Sequence, residues 1–240
     1  MEKSKGKTIL VTGISKGLGF ETTKHLLESG YNVVGISRTY NKEFSDYRGF
    51  HWLKYDLSDS ENIESFLKDN LGNSLAFDGF VNNAAFAYDD IITNMNMERL
   101  EKMYKVNVFS PIAITKFCLR NMLLHKTKGS IVHLSSISVH TGYNGLSMYA
   151  STKGALEAFS KNTAREWGRK GIRSNCIVAG FMETEMSSTL SDEQKDRIYK
   201  RTSLKQPTDT QSVANTIEFL LSDNSKSITG QNINVDSGTI

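Results

Sequence analysis

The stretch from Thr8 to Gly19, T-I-L-V-T-G-I-S-K-G-L-G, constrains the fold of this chain more than any other part of the sequence. Residues 9–11 form an apolar run with the length of a strand that is buried on both faces. Gly13, Gly17 and Gly19 follow, and the segment then becomes helical in its periodicity. A strand, a glycine turn and a helix N-terminus in succession form an anion site, because glycine lets the backbone approach a pyrophosphate and free N–H groups favour its charge. The spacing G-x-x-x-G-x-G differs from the dinucleotide-binding pattern G-x-G-x-x-G, so a glycine turn that binds no ligand is the alternative. The position of the turn directly after a first strand nevertheless favours a dinucleotide site.

Composition excludes several classes of protein. The chain has 240 residues, and its hydrophobic fraction of 38% is ordinary for a globular protein. With 29 basic and 26 acidic residues, the net charge of +3 gives no reason to expect a nucleic-acid partner. No apolar run is long enough to span a membrane and no export signal precedes the first strand, so we expect a cytoplasmic protein. Cys118 and Cys176 form no spaced pair and the five histidines have no metal-ligand spacing, so we expect no metal.

Strand-like and helix-like segments alternate along the whole chain, which predicts a parallel sheet between helices. The fold class is therefore α/β: a single-domain, Rossmann-type, doubly wound parallel sheet of about seven strands with helices on both faces, spanning residues 1–240. The predicted strands are residues 9–11, 32–36, 50–55, 77–81, 130–134, 172–178 and 232–235. The first predicted helix follows the glycine turn and ends near Gly30. Four more are predicted: from a cap at Ser58 or Asp59 to residue 71, from 96 to 124 with a break around Pro111, from 149 to 169, and from a cap at Asp209 to 221.

Basic side chains at the adenosine end of the predicted site indicate which dinucleotide would bind. The adenosine ribose should reach the end of the second strand, where an acidic residue would hold the hydroxyls of NAD. This chain has Arg38 there and Lys16 inside the glycine turn. A guanidinium binds a 2′-phosphate through charge-assisted bonds, so we predict NADP(H), the alternative being that both are solvated surface charges. Asp56, at the end of the third strand, is placed to meet the adenine amino group or to cap the following helix.

Tyr149 and Lys153 are four residues apart in a predicted helix, so they share one face. A nearby ammonium should lower the phenol pKa and fit the pair for proton transfer to or from a carbonyl or an alcohol. The spacing Y-x-x-x-K is common by chance and gains weight only from its surroundings. Ser136 follows the fifth predicted strand, and ligands of open parallel sheets lie at the carboxyl ends of strands. Asn107 comes from another element end that could line the same crevice.

Taken together, these motifs resemble a known family. T-G-I-S-K-G-L-G, N-N-A-A, V-N-V, S-S-I-S, Y-A-S-T-K and I-T-G-Q-N-I-N-V-D-S-G occur in the order and spacing of the short-chain dehydrogenase/reductase family. The similarity covers essentially the whole chain. Within the family, the chain most resembles 3-oxoacyl-[acyl-carrier-protein] reductases and their sugar- and polyol-acting relatives. The resemblance implies that Tyr149 is the proton donor, that Ser136 holds the substrate carbonyl, that Lys153 binds the nicotinamide ribose and tunes the phenol, and that Asn107 holds a water.

The resemblance and the glycine motif together give a set of cofactor residues. These expected residues are Gly13, Ser15, Lys16, Gly17, Leu18 and Gly19 around the phosphates, Arg38 at the 2′-phosphate, Asp56 and Leu57 at the adenine, Asn83 and Ala84 beside the adenosine-side ribose, Tyr149 and Lys153 at the nicotinamide end, and Thr184 at the carboxamide or phosphates. Two positions depart from the family pattern. Ala85 replaces a glycine, and Ala179 replaces a proline, from which we expect altered mobility of the loop but not lost activity.

The substrate and the partners stay open at the level of sequence. An apolar, adaptable pocket is expected from Phe86, Ile137, Val139, Tyr143, Leu146, Phe181, Met182 and Met186. We expect a small-molecule carbonyl or alcohol, either a sugar, a polyol or a small ketone, or alternatively an acyl-carrier-protein thioester; a nucleotide-binding scaffold without turnover is a remote alternative. Basic residues suited to an acyl-carrier protein are Lys126, Lys128, Arg169 and Lys170. The resemblance implies that Lys170 matches one basic docking position of the reductases, but Thr127 stands at the second, where they have an arginine. The resemblance implies self-association to a homotetramer, or failing that a dimer, through residues 112–124 and the helix after Tyr149.

Overall fold

A seven-stranded parallel sheet forms the centre of the computed structural model, which describes residues 6–184 and 191–239. The strand order is β3-β2-β1-β4-β5-β6-β7, and every neighbouring pair is parallel. The strands are β1 Thr8–Thr12, β2 Asn32–Ser37, β3 Phe50–Lys54, β4 Gly79–Asn82, β5 Ser130–Ser136, β6 Arg173–Ala179 and β7 Asn232–Val235. Because the order reverses between β1 and β4, a crevice opens at the carboxyl ends of these two strands.

Helices cover both faces of this sheet. They are α1 Gly17–Glu28, α2 Ile63–Leu71, α3 Met97–Tyr104, α4 Ser110–His125, α5 Ser138–Thr141, α6 Ser147–Trp167, α7 Asp192–Arg201 and α8 Thr210–Leu221. Short 3-10 turns lie at Lys42–Phe44, Ile92–Asn94, Gly168–Lys170 and Asp223–Ser225, and a π-helical turn, Lys105–Phe109, joins α3 to α4. None of the described helices is long and apolar enough to cross a membrane.

The buried strands pack helices on both sides, as their continuous apolar runs predict. Ile9 and Val11 face one core with α1 and α8, while Leu10 between them faces a second core with α2 and α4. This alternation follows from the two-residue period of a strand. The predicted fold class is therefore confirmed.

Four local predictions differ from the structure. Helix α2 begins at Ile63, and the side chain of Asp59 accepts hydrogen bonds from Asn62 instead of capping the helix. Strand β4 begins at Gly79 and not at Phe77, and just before it the Asp78 carboxylate accepts the Thr8 N–H at 2.8 Å. The break in the long helical region is the π-helical turn, and Pro111 lies in the first turn of α4, where no N–H is needed. Ser136 is the last residue of β5 and does not follow the strand.

Candidate active site

The glycine turn after β1 is held in a shape that only glycine can adopt. Gly13 has φ of +76°, and a Cβ on Gly19 would lie 2.0 Å from the Gly13 carbonyl oxygen. The Asn83 amide donates to Thr12 O at 3.0 Å and to Gly13 O at 3.2 Å, so the end of β4 fixes the turn after β1. The turn is therefore a preformed cradle at the N-terminus of α1. Bare backbone at this point fits a pyrophosphate, whose oxygens take N–H donors and require close approach.

All the proposed cofactor residues line one cavity of about 850 Å³ at the carboxyl edge of the sheet. Gly13, Ser15, Lys16, Gly17, Leu18, Gly19, Arg38, Asp56, Leu57, Asn83, Ala84, Tyr149, Lys153 and Thr184 all belong to its wall. The cavity therefore runs from the glycine turn to the pair on α6, an extent that suits a dinucleotide. This fit does not depend on one residue, because the segments that follow β1 and β4 contribute to the wall together with residues of α1, β2, β5, α6 and β6.

The adenosine end of the cavity is basic. Arg38 and Lys16 are exposed at its wall, and Lys42 and Lys102 join them there. Burial by itself would raise the pKa of Asp56, but the hydrogen bond from the Ser58 N–H together with the charges of Arg38 and Lys102 lowers it. Asp56 is therefore a carboxylate that faces these cations. No sequence signal singled out Lys42 and Lys102, because one lies in a polar loop and the other on an ordinary amphipathic helix.

Tyr149 and Lys153 meet at the other end of the cavity. The Lys153 Nζ donates to Leu134 O at 2.8 Å and lies 5.6 Å from the centroid of the Tyr149 ring. The lysine is 2% exposed, and this burial lowers its pKa to about 8. Burial also raises the pKa of Tyr149, and the charge of Asp89 adds to the rise. The pKa of the phenol is therefore raised and not lowered as expected from the neighbouring ammonium, because desolvation disfavours the phenolate and Asp89 adds a like charge.

Ser136 and Asn107 flank the cavity but do not belong to its wall. The Ser136 Oγ accepts hydrogen bonds from the Ser138 N–H at 3.2 Å and from the Ser138 hydroxyl at 3.0 Å. Asn107 is fully buried in the π-helical turn. Its amide donates to Phe86 O and to the Thr152 hydroxyl, and its carbonyl accepts the Phe86 N–H. The Asn107 side chain thus ties the loop after β4 to α6, one residue before Lys153.

The expected substrate residues are only partly gathered. Phe86 and Met182 line the cavity, whereas Ile137 is buried in the core and Met186 lies outside the described residues. Ala179 ends β6, and its carbonyl accepts the Ile137 N–H at 3.1 Å. Gly180 beside it has no room for a side chain, since a Cβ there would lie 2.2 Å from the Thr208 hydroxyl. These contacts link the segment after Ser136 to the end of β6.

An open parallel sheet with a glycine cradle at its switch point, and with a partly buried tyrosine beside a buried lysine, defines a dinucleotide-binding oxidoreductase. The family model described as enoyl-(acyl carrier protein) reductase matches residues 13–239. The chain is 33% identical over 237 residues to the 3-oxoacyl-[acyl-carrier-protein] reductase FabG of Escherichia coli, covering 97% of both sequences. It is 35% identical over 238 residues to carbonyl reductase [NADPH] 2 of Sus scrofa, covering 97% of this chain and 96% of that protein.

A solved structure agrees with these sequence matches. The structure described as ElxO with NADP bound superposes with a TM-score of 0.88 at 28% identity, covering 97% of this chain and 98% of the other. The chain belongs to the short-chain dehydrogenase/reductase family.

Proposed function

We propose that this enzyme interconverts a carbonyl and a secondary alcohol with NADP(H) as its cofactor. The observation that carries the proposal is the position of Tyr149 and Lys153 in the same cavity as the glycine cradle. NADPH, when bound, supplies the hydride that reduces the carbonyl carbon. The names of the FabG, pig and ElxO proteins support the reaction and the cofactor, and Lys16 and Arg38 give the site a charge that suits a 2′-phosphate.

Tyr149 is the proposed proton donor to the substrate oxygen. Because burial raises its pKa, the phenol stays protonated at neutral pH and is ready to donate in the direction of reduction. Lys153, with a pKa of about 8, is mostly charged at neutral pH and is placed to hold the ribose beside the tyrosine. Ser136 is proposed to orient the carbonyl. Asn107 holds the loop at Phe86 against α6, which supports the geometry of the pair.

The substrate is proposed to be a sugar, a polyol or a small ketone. The four basic residues suited to a carrier protein support this choice, since they lie away from the cavity. Lys126 and Lys128 precede β5, and Arg169 and Lys170 precede β6, so all four are at the amino ends of the strands, whereas Tyr149 is at the carboxyl ends. The seven residues of β5 separate the two edges by roughly 20 Å.

An acyl-carrier-protein thioester is the second candidate. It is favoured by the likeness to the Escherichia coli FabG reductase, which extends over 97% of both chains. With the basic residues at the far edge of the sheet, a carrier docked on them would have to deliver its thioester to the cavity of another subunit. This candidate therefore requires an oligomer, whereas the small-ketone candidate does not.

The experiment that tests the function is a carbonyl panel followed by NADPH absorbance, with acetoacetyl thioesters of coenzyme A and of acyl-carrier protein included. Tyr149→Phe is the matched control, because it keeps the ring and removes the hydroxyl. General acid catalysis is worth about 10²- to 10⁴-fold, so we expect turnover to fall by at least that range while NADPH affinity barely changes. Near-full turnover by Tyr149→Phe on a verified substrate would show that the proton comes from another group.

A further inference from the structure

Glu157 is a buried carboxylate that the proposed mechanism does not use. It is 9% exposed and lies on α6, four residues after Lys153 and eight after Tyr149, so all three share one face of the helix. Its oxygens accept hydrogen bonds from the Ser135 hydroxyl at 2.5 Å and from the Asn232 amide at 2.7 Å. The His140 Nε2 lies 3.1 Å from the same carboxylate. One side chain on α6 thus joins β5, α5 and β7.

Two of these partners lie on either side of Ser136. Ser135 immediately precedes it in β5, and His140 is in α5, which begins two residues after it. At its first residue, α5 carries Ser138, whose N–H and hydroxyl both donate to the Ser136 Oγ. The segment before Ser136 and the segment after it are therefore both bonded to Glu157. The helix that carries Glu157 also carries the tyrosine and the lysine.

We propose that Glu157 and His140 form a positioning pair that fixes the Ser136 hydroxyl relative to Tyr149. This inference rests on the proposed function, because Ser136 matters to turnover only if it orients a substrate carbonyl. The pair acts through the segments on either side of Ser136, since its hydrogen bonds run to Ser135 and to α5 and neither residue is among those of the cavity wall. Its effect is on geometry: a displacement of about 1 Å in a catalytic constellation can reduce the rate about 100-fold.

His140 is the better site for a test, because its side chain is 36% exposed and a substitution there leaves no large buried void. His140→Ala removes the donor to Glu157. His140→Gln keeps an N–H donor at a similar reach and is the conservative rescue. Glu157→Gln keeps the shape but replaces one acceptor oxygen with a donor, which conflicts with the Asn232 amide or the His140 ring. A matched control is Glu218→Gln, which disrupts another histidine–carboxylate pair. In that pair the His25 Nε2 lies 2.6 Å from the Glu218 carboxylate, between α1 and α8 on the opposite face of the sheet.

The measurements are kcat and KM for the carbonyl, the Kd for NADPH, and hydrogen exchange of the amides of residues 136–146. We expect His140→Ala and Glu157→Gln to lower kcat/KM at least tenfold, to leave the NADPH Kd unchanged and to increase exchange in that segment. His140→Gln should recover most of the activity, and Glu218→Gln should leave kcat/KM unchanged.

Wild-type kcat/KM and wild-type exchange in His140→Ala would overturn the proposal and leave the cluster a purely structural one. The same conclusion follows if Glu157→Gln loses activity only in proportion to lost folded protein while His140→Ala is unaffected. A wild-type enzyme that reduces no carbonyl would refute the proposed function instead. The exchange measurement needs no substrate, so unchanged exchange in both variants would still contradict the positioning role in that case.

Discussion

Lys153 is buried in the wall of the cavity, where its ammonium donates to the Leu134 carbonyl oxygen. Burial lowers its pKa from 10.5 to about 8, so between these values the unfolded chain binds more protons than the folded one. Stability should therefore increase with pH across this window, and below about pH 8 the folded protein carries the full cost of the buried charge. The lysine proposed to hold the cofactor ribose is thus placed where its charge destabilises the fold.

Replacement of Lys153 by methionine tests whether the buried ammonium lowers the stability of the fold. We expect the variant to be inactive but more stable than the parent at neutral pH, by up to about 3 kcal/mol, less what the lost hydrogen bond to Leu134 contributed. The difference should shrink as the pH rises from about 8 to 10.5, because the parent loses its charge there. Urea unfolding of both proteins at several pH values measures it. A difference that does not vary with pH would contradict the assignment of the penalty to this ammonium.

Arg38 is the residue on which cofactor choice should depend most. It lies at the carboxyl end of β2, exposed at the wall of the cavity and close enough to Asp56 to lower the pKa of that carboxyl. NADPH should bind the parent at least tenfold more tightly than NADH, a difference of about 1.4 kcal/mol. Arg38→Asp should abolish or reverse this preference, as measured by titration of both cofactors. Equal affinities in the parent would eliminate the charge argument.

At the scale of elements, the segment β1–turn–α1 is where sequence and structure agree most closely. Gly13 and Gly19 are required by a positive φ and by a contact with no space for a Cβ, and both constraints were visible as a glycine pattern after an apolar run. The start of α2 could not be predicted, because Ser58, Asp59 and Asn62 are all good caps, and here the Asp59 carboxylate is used in a local hydrogen bond with the Asn62 amide. The raised pKa of Tyr149 could not be predicted either, since a four-residue spacing shows which groups are close together but not how far they are excluded from water.

A substitution in this segment gives a test of the cradle. In Gly19→Ala the new methyl would lie 2.0 Å from the Gly13 carbonyl oxygen and 2.4 Å from the Asn83 amide, so the turn must open. We expect NADPH affinity to fall at least tenfold, as measured by isothermal titration. Gly168→Ala is the matched control, because its Cβ would enter open space, and it should bind NADPH as the parent does. Unchanged affinity in Gly19→Ala would mean that the phosphates bind elsewhere.

At the scale of the whole molecule, the surface formed by the π-helical turn and α4, next to α6, carries exposed apolar side chains. Phe109, Ile112 and Leu124 are 51%, 37% and 58% exposed, and a groove between the two helices is lined by Ile112, Leu119, Leu123, Phe159 and Trp167 among others. We propose that copies of the chain pack here about two-fold axes to give a homotetramer, or a dimer if only this surface is used.

Light scattering at micromolar concentration tests this assembly. We expect a tetramer for the parent and a smaller species for Ile112→Asp, because a buried unpaired carboxylate opposes the contact. Ile92→Asp is the control, since Ile92 is 63% exposed and lies in a 3-10 turn that is part of neither helix. A monomeric parent would refute the assembly and, with it, any delivery of a carrier-bound thioester between subunits.

The residues of the cavity wall extend in sequence from Gly13 to Thr184, and this affects how long the folded protein persists in a cell. No short fragment can form the binding site, because its parts come together only when β1, β2, β4, β5 and α6 are all in place. NADPH would therefore bind the finished fold and not the nascent or unfolded chain. At a free concentration 100-fold above its Kd it would add about 2.7 kcal/mol to the stability of that fold. The concentration of the cofactor would then affect how much of the enzyme escapes proteolysis as well as how fast it turns over.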